Sequence, residues 1–132
     1  MKIFAATEHQ PVTEDQKHIL VLANDADPLA ADLAGVERID LDFPKFTDGR
    51  AFSQARLLRQ RRKFAGEIRA TGDVLIDQLV QMSRCGFDVA VLREGVDKVD
   101  AQRQFDRFHA FYQGDVKHPL PHFRDANAAA AV

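Results

Sequence analysis

The feature that most constrains this chain is its alternation of short apolar runs with helix-like stretches, because strands joined by crossover segments must lie parallel to one another. His18-Ile19-Leu20-Val21-Leu22-Ala23 is apolar, too short for a helix and closed by Asn24-Asp25-Ala26-Asp27-Pro28. It reads as a buried strand that ends in a loop. Asp27 and Pro28 predict the first turn of a brief helix stopped by Gly35, with Leu29 and Leu33 one turn apart. Val36 to Phe43 is the second strand, in which Val36, Ile39, Leu41 and Phe43 supply apolar contacts until Pro44 ends its hydrogen bonding. Phe52, Ala55 and Leu58, with Leu57 beside them and Ser53 in the capping turn, form one helical face, and Gly66 marks the exit. Glu67-Ile68-Arg69-Ala70 is the third strand. Thr71-Gly72-Asp73 then opens a helix whose Leu75, Leu79 and Met82 fall at i, i+4 and i+7, with Gly86 as its C-cap. Phe87 to Leu92 is the fourth strand, and a last helix from about Val99 to Tyr112 turns Phe105, Phe108 and Tyr112 inward before Gly114.

The order predicts a small single α/β domain built on a mostly parallel four-stranded sheet with right-handed crossover helices. A partial (β/α) barrel, completed by a partner, is the alternative. Residues 1–17 form an N-terminal arm or a weak edge element, 18–116 the α/β domain, and 117–132 a C-terminal tail expected to be poorly ordered. A length of 132 residues suffices for one core and not for two.

With 45% hydrophobic and 29% charged residues the composition is globular. The longest apolar runs fall far short of the roughly 20 residues that cross a bilayer, and Thr7-Glu8-His9 interrupts the N-terminus before an apolar core of signal-peptide length can form. No membrane association is expected. The single cysteine, Cys85, allows no internal disulfide and fits a cytoplasmic setting. A net charge of −2 gives no general attraction to nucleic acid. The basic run Arg56, Arg59, Arg61, Arg62 and Lys63 reads as a solvated helix face.

In parallel α/β folds, ligands bind where loops leave the C-terminal ends of the strands. Those loops carry Asn24 and Asp25, Asp42 to Arg50, Thr71-Gly72-Asp73, and Arg93-Glu94. Thr71, Gly72 and Asp73, at a helix start, would present free N–H groups to an anion, unless Asp73 only caps its own helix. Arg50 and Arg69 would grip an oxyanion or carboxylate in bidentate fashion, or else pair structurally with Asp48 and Asp73. Phe43 and Phe46 flank the rigid Pro44; exposed, they would form a partner contact, and packed inward they would pin the loop. Asp42 and Asp48 are carboxylates suited to proton transfer but without an evident partner base. Cys85 reads as buried and inert, and the five histidines have no compact metal-ligand spacing, so no metal is expected. The chain has no Gly-x-Gly-x-x-Gly, Gly-x-x-x-x-Gly-Lys, Cys-x-x-Cys or Gly-x-Ser-x-Gly, and so no motif that would hold a nucleotide or redox cofactor.

The stretch Leu41-Asp42-Phe43-Pro44-Lys45-Phe46-Thr47-Asp48-Gly49-Arg50, followed by Ser53-Gln54-Ala55-Arg56-Leu57-Leu58-Arg59, resembles the bacterial family catalogued as domain of unknown function 934. Gly66-Glu67-Ile68-Arg69-Ala70-Thr71-Gly72-Asp73-Val74-Leu75 with Asp77-Gln78, and Arg84-Cys85-Gly86-Phe87-Asp88, are similar to that family's other signature stretches. The resemblance is specific over residues 41–88 and looser from about 20 to 113. It departs at Arg61-Arg62-Lys63-Phe64-Ala65, where the family tends to show an aromatic-glycine turn, and the N-terminal arm is short. The family carries the description of an oxidoreductase involved in sulfite reduction, because its members accompany assimilatory sulfite reductase. The resemblance therefore implies sulfur assimilation; it brings no established catalytic residues.

The leading expectation is an accessory protein of sulfite reduction. It would bind sulfite reductase or a small oxyanion at an edge formed by Asp48, Arg50, Arg69, Thr71, Gly72 and Asp73. One alternative is a small enzyme acting on an anionic metabolite, with the arginines holding substrate and Asp48 or Asp73 moving a proton. Another is an interaction module using Phe43, Phe46 and the basic helix, with self-association also open.

Overall fold

The structure, a computed structural model, describes residues 1–45 and 47–109. Five strands, β1 (Lys2–Phe4), β2 (Ile19–Leu22), β3 (Arg38–Phe43), β4 (Glu67–Gly72) and β5 (Val89–Val91), form one sheet in the order β1-β5-β4-β3-β2. Every ladder is parallel. From β2 to β5 each strand is laid beside its predecessor in one direction, as in a barrel wall. Among the described residues the ladders stop at β1 and β2. The strand beyond the expected four is β1, which pairs Lys2 with Val89 and Phe4 with Val91. Three residues are too few to show a two-residue period, so the sequence left them as an arm or a weak edge element, and the edge strand is what forms.

Helices α1 (Arg50–Gln60), α2 (Leu79–Cys85) and α3 (Lys98–His109) pack on one face of the sheet. Strand alternation sends Ile39, Leu41 and Phe43 of β3, with Ile68 and Ala70 of β4, into that layer. There they meet Ala51, Ala55 and Leu58 of α1, Leu79, Met82 and Cys85 of α2, and Ala101 and Phe105 of α3. The rings of Phe43, Phe52 and Phe87 lie with centroids 5.1, 5.8 and 6.5 Å apart, two of the three pairs edge to face. Each such pair adds about 0.5–1.5 kcal/mol beyond the area buried.

Three expected features take another form. No helix follows β2: Asp27 accepts the Leu29 N–H and Asp32 the Ala34 N–H, so these aspartates close turns instead of capping a helix. Strand β4 runs on through Thr71 and Gly72, and helical structure starts only with a 3₁₀ turn at Ile76–Gln78 that leads into α2. In α3, Phe105 is buried as expected while Phe108 is 46% exposed; Tyr112, Gly114 and the tail from 117 lie outside the described residues.

The basic run also divides. Arg59 turns inward and donates to the carbonyls of Phe64, Gly66 and Gly86 and to the Asp88 carboxylate. Asp88 in turn accepts the Ile68 N–H. Arg62 donates to the carbonyls of Pro28 and Ala31, tying the turns after β2 to the end of α1. Two members of a supposed solvated face thus satisfy backbone carbonyls that no ladder reaches. Gly86, at φ +109, has no Cβ because the Arg59 side chain lies 2.6 Å from where one would stand.

Arg59→Ala strands three carbonyls and removes the cation paired with Asp88, and should lower the unfolding free energy by about 3 kcal/mol in urea titration. Lys63 holds φ 56 in the turn after α1, a left-handed conformation that favours glycine. Lys63→Gly should raise stability by about 1 kcal/mol, seen as a higher denaturation midpoint with unchanged slope.

Candidate functional site

The alternation that feeds the core sends the other half of β3 and β4 to the face without helices. Arg38, Asp40 and Asp42 of β3 stand beside Glu67, Arg69 and Thr71 of β4 in register. Arg38 grips Asp40 through Nε and Nη2 at 2.8 and 3.0 Å, and Arg69 Nε donates to Glu67 at 2.7 Å. Arg38, Asp40, Glu67 and Arg69 each have an opposite charge along their own strand and another across the ladder, which offsets the cost of burying Asp40 (3% exposed) and Arg69 (9% exposed). Arg69 also bonds His9 Nδ1 at 3.0 Å and lies over the Phe4 ring, 4.9 Å from its centroid. The Arg38 guanidinium is held still more firmly protonated by its hydrogen bonds to Asp40.

At the C-terminal ends of the strands, the Asn24 amide donates to the Asp42 carbonyl and so ties the loop after β2 to β3. Thr71 Oγ1 reaches the Leu41 carbonyl at 3.4 Å. Gly72, at φ +93, brings its backbone against β3: a Cβ there would lie 2.5 Å from the Phe43 carbonyl oxygen and 2.6 Å from Asp42 Oδ1. The Asp73 N–H donates to the Phe43 carbonyl and the Val74 N–H to that of Gly72. Of the expected nest of free N–H groups at Thr71-Gly72-Asp73, that of Asp73 is therefore already taken by a backbone oxygen. Asp73 pairs through its carboxylate with Arg93 at 2.9 Å.

Arg50 starts α1, and Asp48 accepts its backbone N–H at 3.1 Å and contacts its Nε at 3.4 Å. Its side chain is 66% exposed. Arg50 does not converge with Arg69, since one begins a helix on the core side of the sheet and the other points from the opposite face. The six expected edge residues thus fall into three separate groups: Asp48 with Arg50, Arg69 with Glu67 and His9, and Thr71-Gly72 leading to Asp73 with Arg93. Phe43 is fully enclosed and offers no partner surface, because its ring completes the aromatic cluster; Phe46 lies outside the described residues.

Of two further polar groups, the sequence reading named one and missed the other. Asp42, set aside there for want of a partner base, keeps a part-buried carboxylate whose pKa is raised by desolvation. Gln54 on α1 is 4% exposed and donates to the carbonyls of Ala23 and Ala26 at 2.9 and 3.0 Å, while its Oε1 is buried without a hydrogen bond. Among the described residues no group of three or more His, Cys, Asp or Glu side chains could hold a metal ion, and no helix is long and apolar enough to cross a membrane.

Residues 19–123 match the family described as a bacterial protein of unknown function, DUF934. The chain belongs to that family. Neither the curated proteins nor the solved structures gave a match. The DUF934 match begins at β2 and takes in the sheet from β2 to β5, all three helices and both charged strands of the helix-free face, while β1 precedes it.

A carboxylate penalised by burial costs stability while it is ionised. Asp42→Asn should therefore raise the thermal midpoint at pH 7, and the gain should vanish as the pH falls to the ordinary carboxylate value of 3.8. A variant less stable than the parent at pH 7 would show instead that the carboxylate is held by favourable contacts.

Proposed function

We propose that this DUF934 protein is a cytoplasmic accessory protein of assimilatory sulfite reduction that acts by binding the reductase, and not by turning over a small molecule. The pathway rests on the description that the family resemblance carries. The mode of action rests on one observation: the cations suited to an oxyanion are matched by internal acceptors, Arg69 by Glu67 and His9, Arg93 by Asp73, and Arg50 by Asp48. An anion displacing these carboxylates would have to repay the ion pairs it breaks. A protein partner needs no such vacancy.

Asp42 supports a second reading, a small enzyme on an anionic metabolite, since a raised carboxyl pKa suits proton transfer. That reading needs a cation to hold the substrate, and the most solvent-facing arginine of the three, Arg50, begins a helix on the far side of the sheet from Asp42.

Two measurements test the proposal together. Sulfite, sulfate and phosphate should each leave the melting temperature within the spread of buffer alone, while sulfite reductase should be retained on the immobilised protein. Selective stabilisation by one anion, lost in Arg50→Ala or Arg69→Ala, would replace partner binding with a ligand site. Unimpaired growth on sulfate after deletion of the protein would remove the pathway altogether.

A further inference from the structure

Residues 5–18 join β1 to β2, strands at opposite edges of the sheet, and His9 places this crossing on the face without helices. Near its start the segment is fastened at two points. Glu8 accepts from Lys98 Nζ at 2.8 and 3.1 Å and from the Ala5 N–H at 2.8 Å, which ties the start of the crossing to α3. One residue on, His9 Nδ1 lies 3.0 Å from Arg69 Nη1. A guanidinium has only donors, so Nδ1 must accept, and an imidazole that accepts at Nδ1 is neutral, with its proton on Nε2. The bond exists for one protonation state of His9 alone.

The charged neighbours of His9 are Arg38 and Asp40 of β3 and Glu67 and Arg69 of β4. The two carboxylates would welcome a proton on the ring, but each is already engaged: Asp40 takes both Arg38 bonds and Glu67 takes Arg69 Nε. The two guanidiniums oppose it, and Arg69 does so at contact distance. We propose that His9 is a proton-controlled latch: neutral, it fastens residues 5–18 across the sheet by accepting from Arg69, and protonated, it frees the segment at this point and uncovers the Arg69 guanidinium. This inference is independent of the function proposed above. Desolvation first, and the two guanidiniums with it, lowers the His9 pKa below its usual 6.5, against the pull of Asp40 and Glu67. The latched state therefore binds the proton less well than the released one. Latching is at full strength above pH 6.5 and is lost as the pH falls from there towards the lowered value.

The test is amide exchange by NMR on the full chain, read at Ala5 and Glu8, with intrinsic exchange rates divided out. Between pH 7.5 and 5.5 the opening constant should rise towards a limit of about tenfold, the protonated-to-neutral ratio of a free imidazole one unit below its pKa. His9→Gln keeps an acceptor but cannot titrate, and its opening constant should be the same at both pH values. An opening constant that does not change with pH in the parent, or that changes equally in the variant, would overturn the latch. Should the variant stand open at both pH values, the parent's own titration decides. The amide shifts of residues 5–18 must then move with the same midpoint as the His9 ring, and separate midpoints would reject the proposal.

Discussion

Arg59 donates to three carbonyls and one carboxylate, and those acceptors come from two separate turns. Phe64 and Gly66 lie in the turn that leads into β4, and Gly86 and Asp88 in the one that leads into β5. Fixing both strand entries to the last turns of α1 sets the register in which β4 and β5 join the sheet. That register carries Ile68 and Ala70 to the core and Glu67 and Arg69 to the other face, since a slip of one residue would exchange them. The charge lattice on the helix-free face thus depends on a guanidinium that is not part of it.

Much of this was legible in the residues, because periodicity reports which side of an element is wet. The strands β2 to β5, α1 and the core side of β3 followed from apolar spacing. The same two-residue period that placed Ile39, Leu41 and Phe43 inward also put Arg38, Asp40 and Asp42 on one common face, and Glu67, Arg69 and Thr71 on the matching one. What was illegible was partnership. Asp27 and Asp73 have the chemistry of helix caps, yet one closes a turn and the other joins Arg93, because a side-chain oxygen serves whichever donor the tertiary fold brings to it. Arg59 and Arg62 looked like solvated charges for the same reason: their acceptors are backbone carbonyls, which sequence does not distinguish.

The residues of the expected oxyanion edge are dispersed for a related reason. Residues grouped by position along the chain were assumed to converge, but Arg50 and Arg69 leave opposite sides of the sheet. Phe43 and Pro44 likewise sit together in sequence while the ring of Phe43 is locked between Phe52 and Phe87. What does converge is a polar layer of buried, mutually neutralised charge beneath a crossing segment, an arrangement that gives rigidity and orientation more readily than it gives a pocket.

The pairing of β1 with β5 has a kinetic side. Lys2 lies opposite Val89, so β1 can dock only after almost the whole of the described domain has been made and folded beside it. Until then Ile3 and Phe4 have no neighbours, and closing so long a loop is slow in comparison with the local steps that form α1, α2 and their adjoining strands. The last ladder to form would also be the first to part under stress, carrying with it the strap that begins at Ala5.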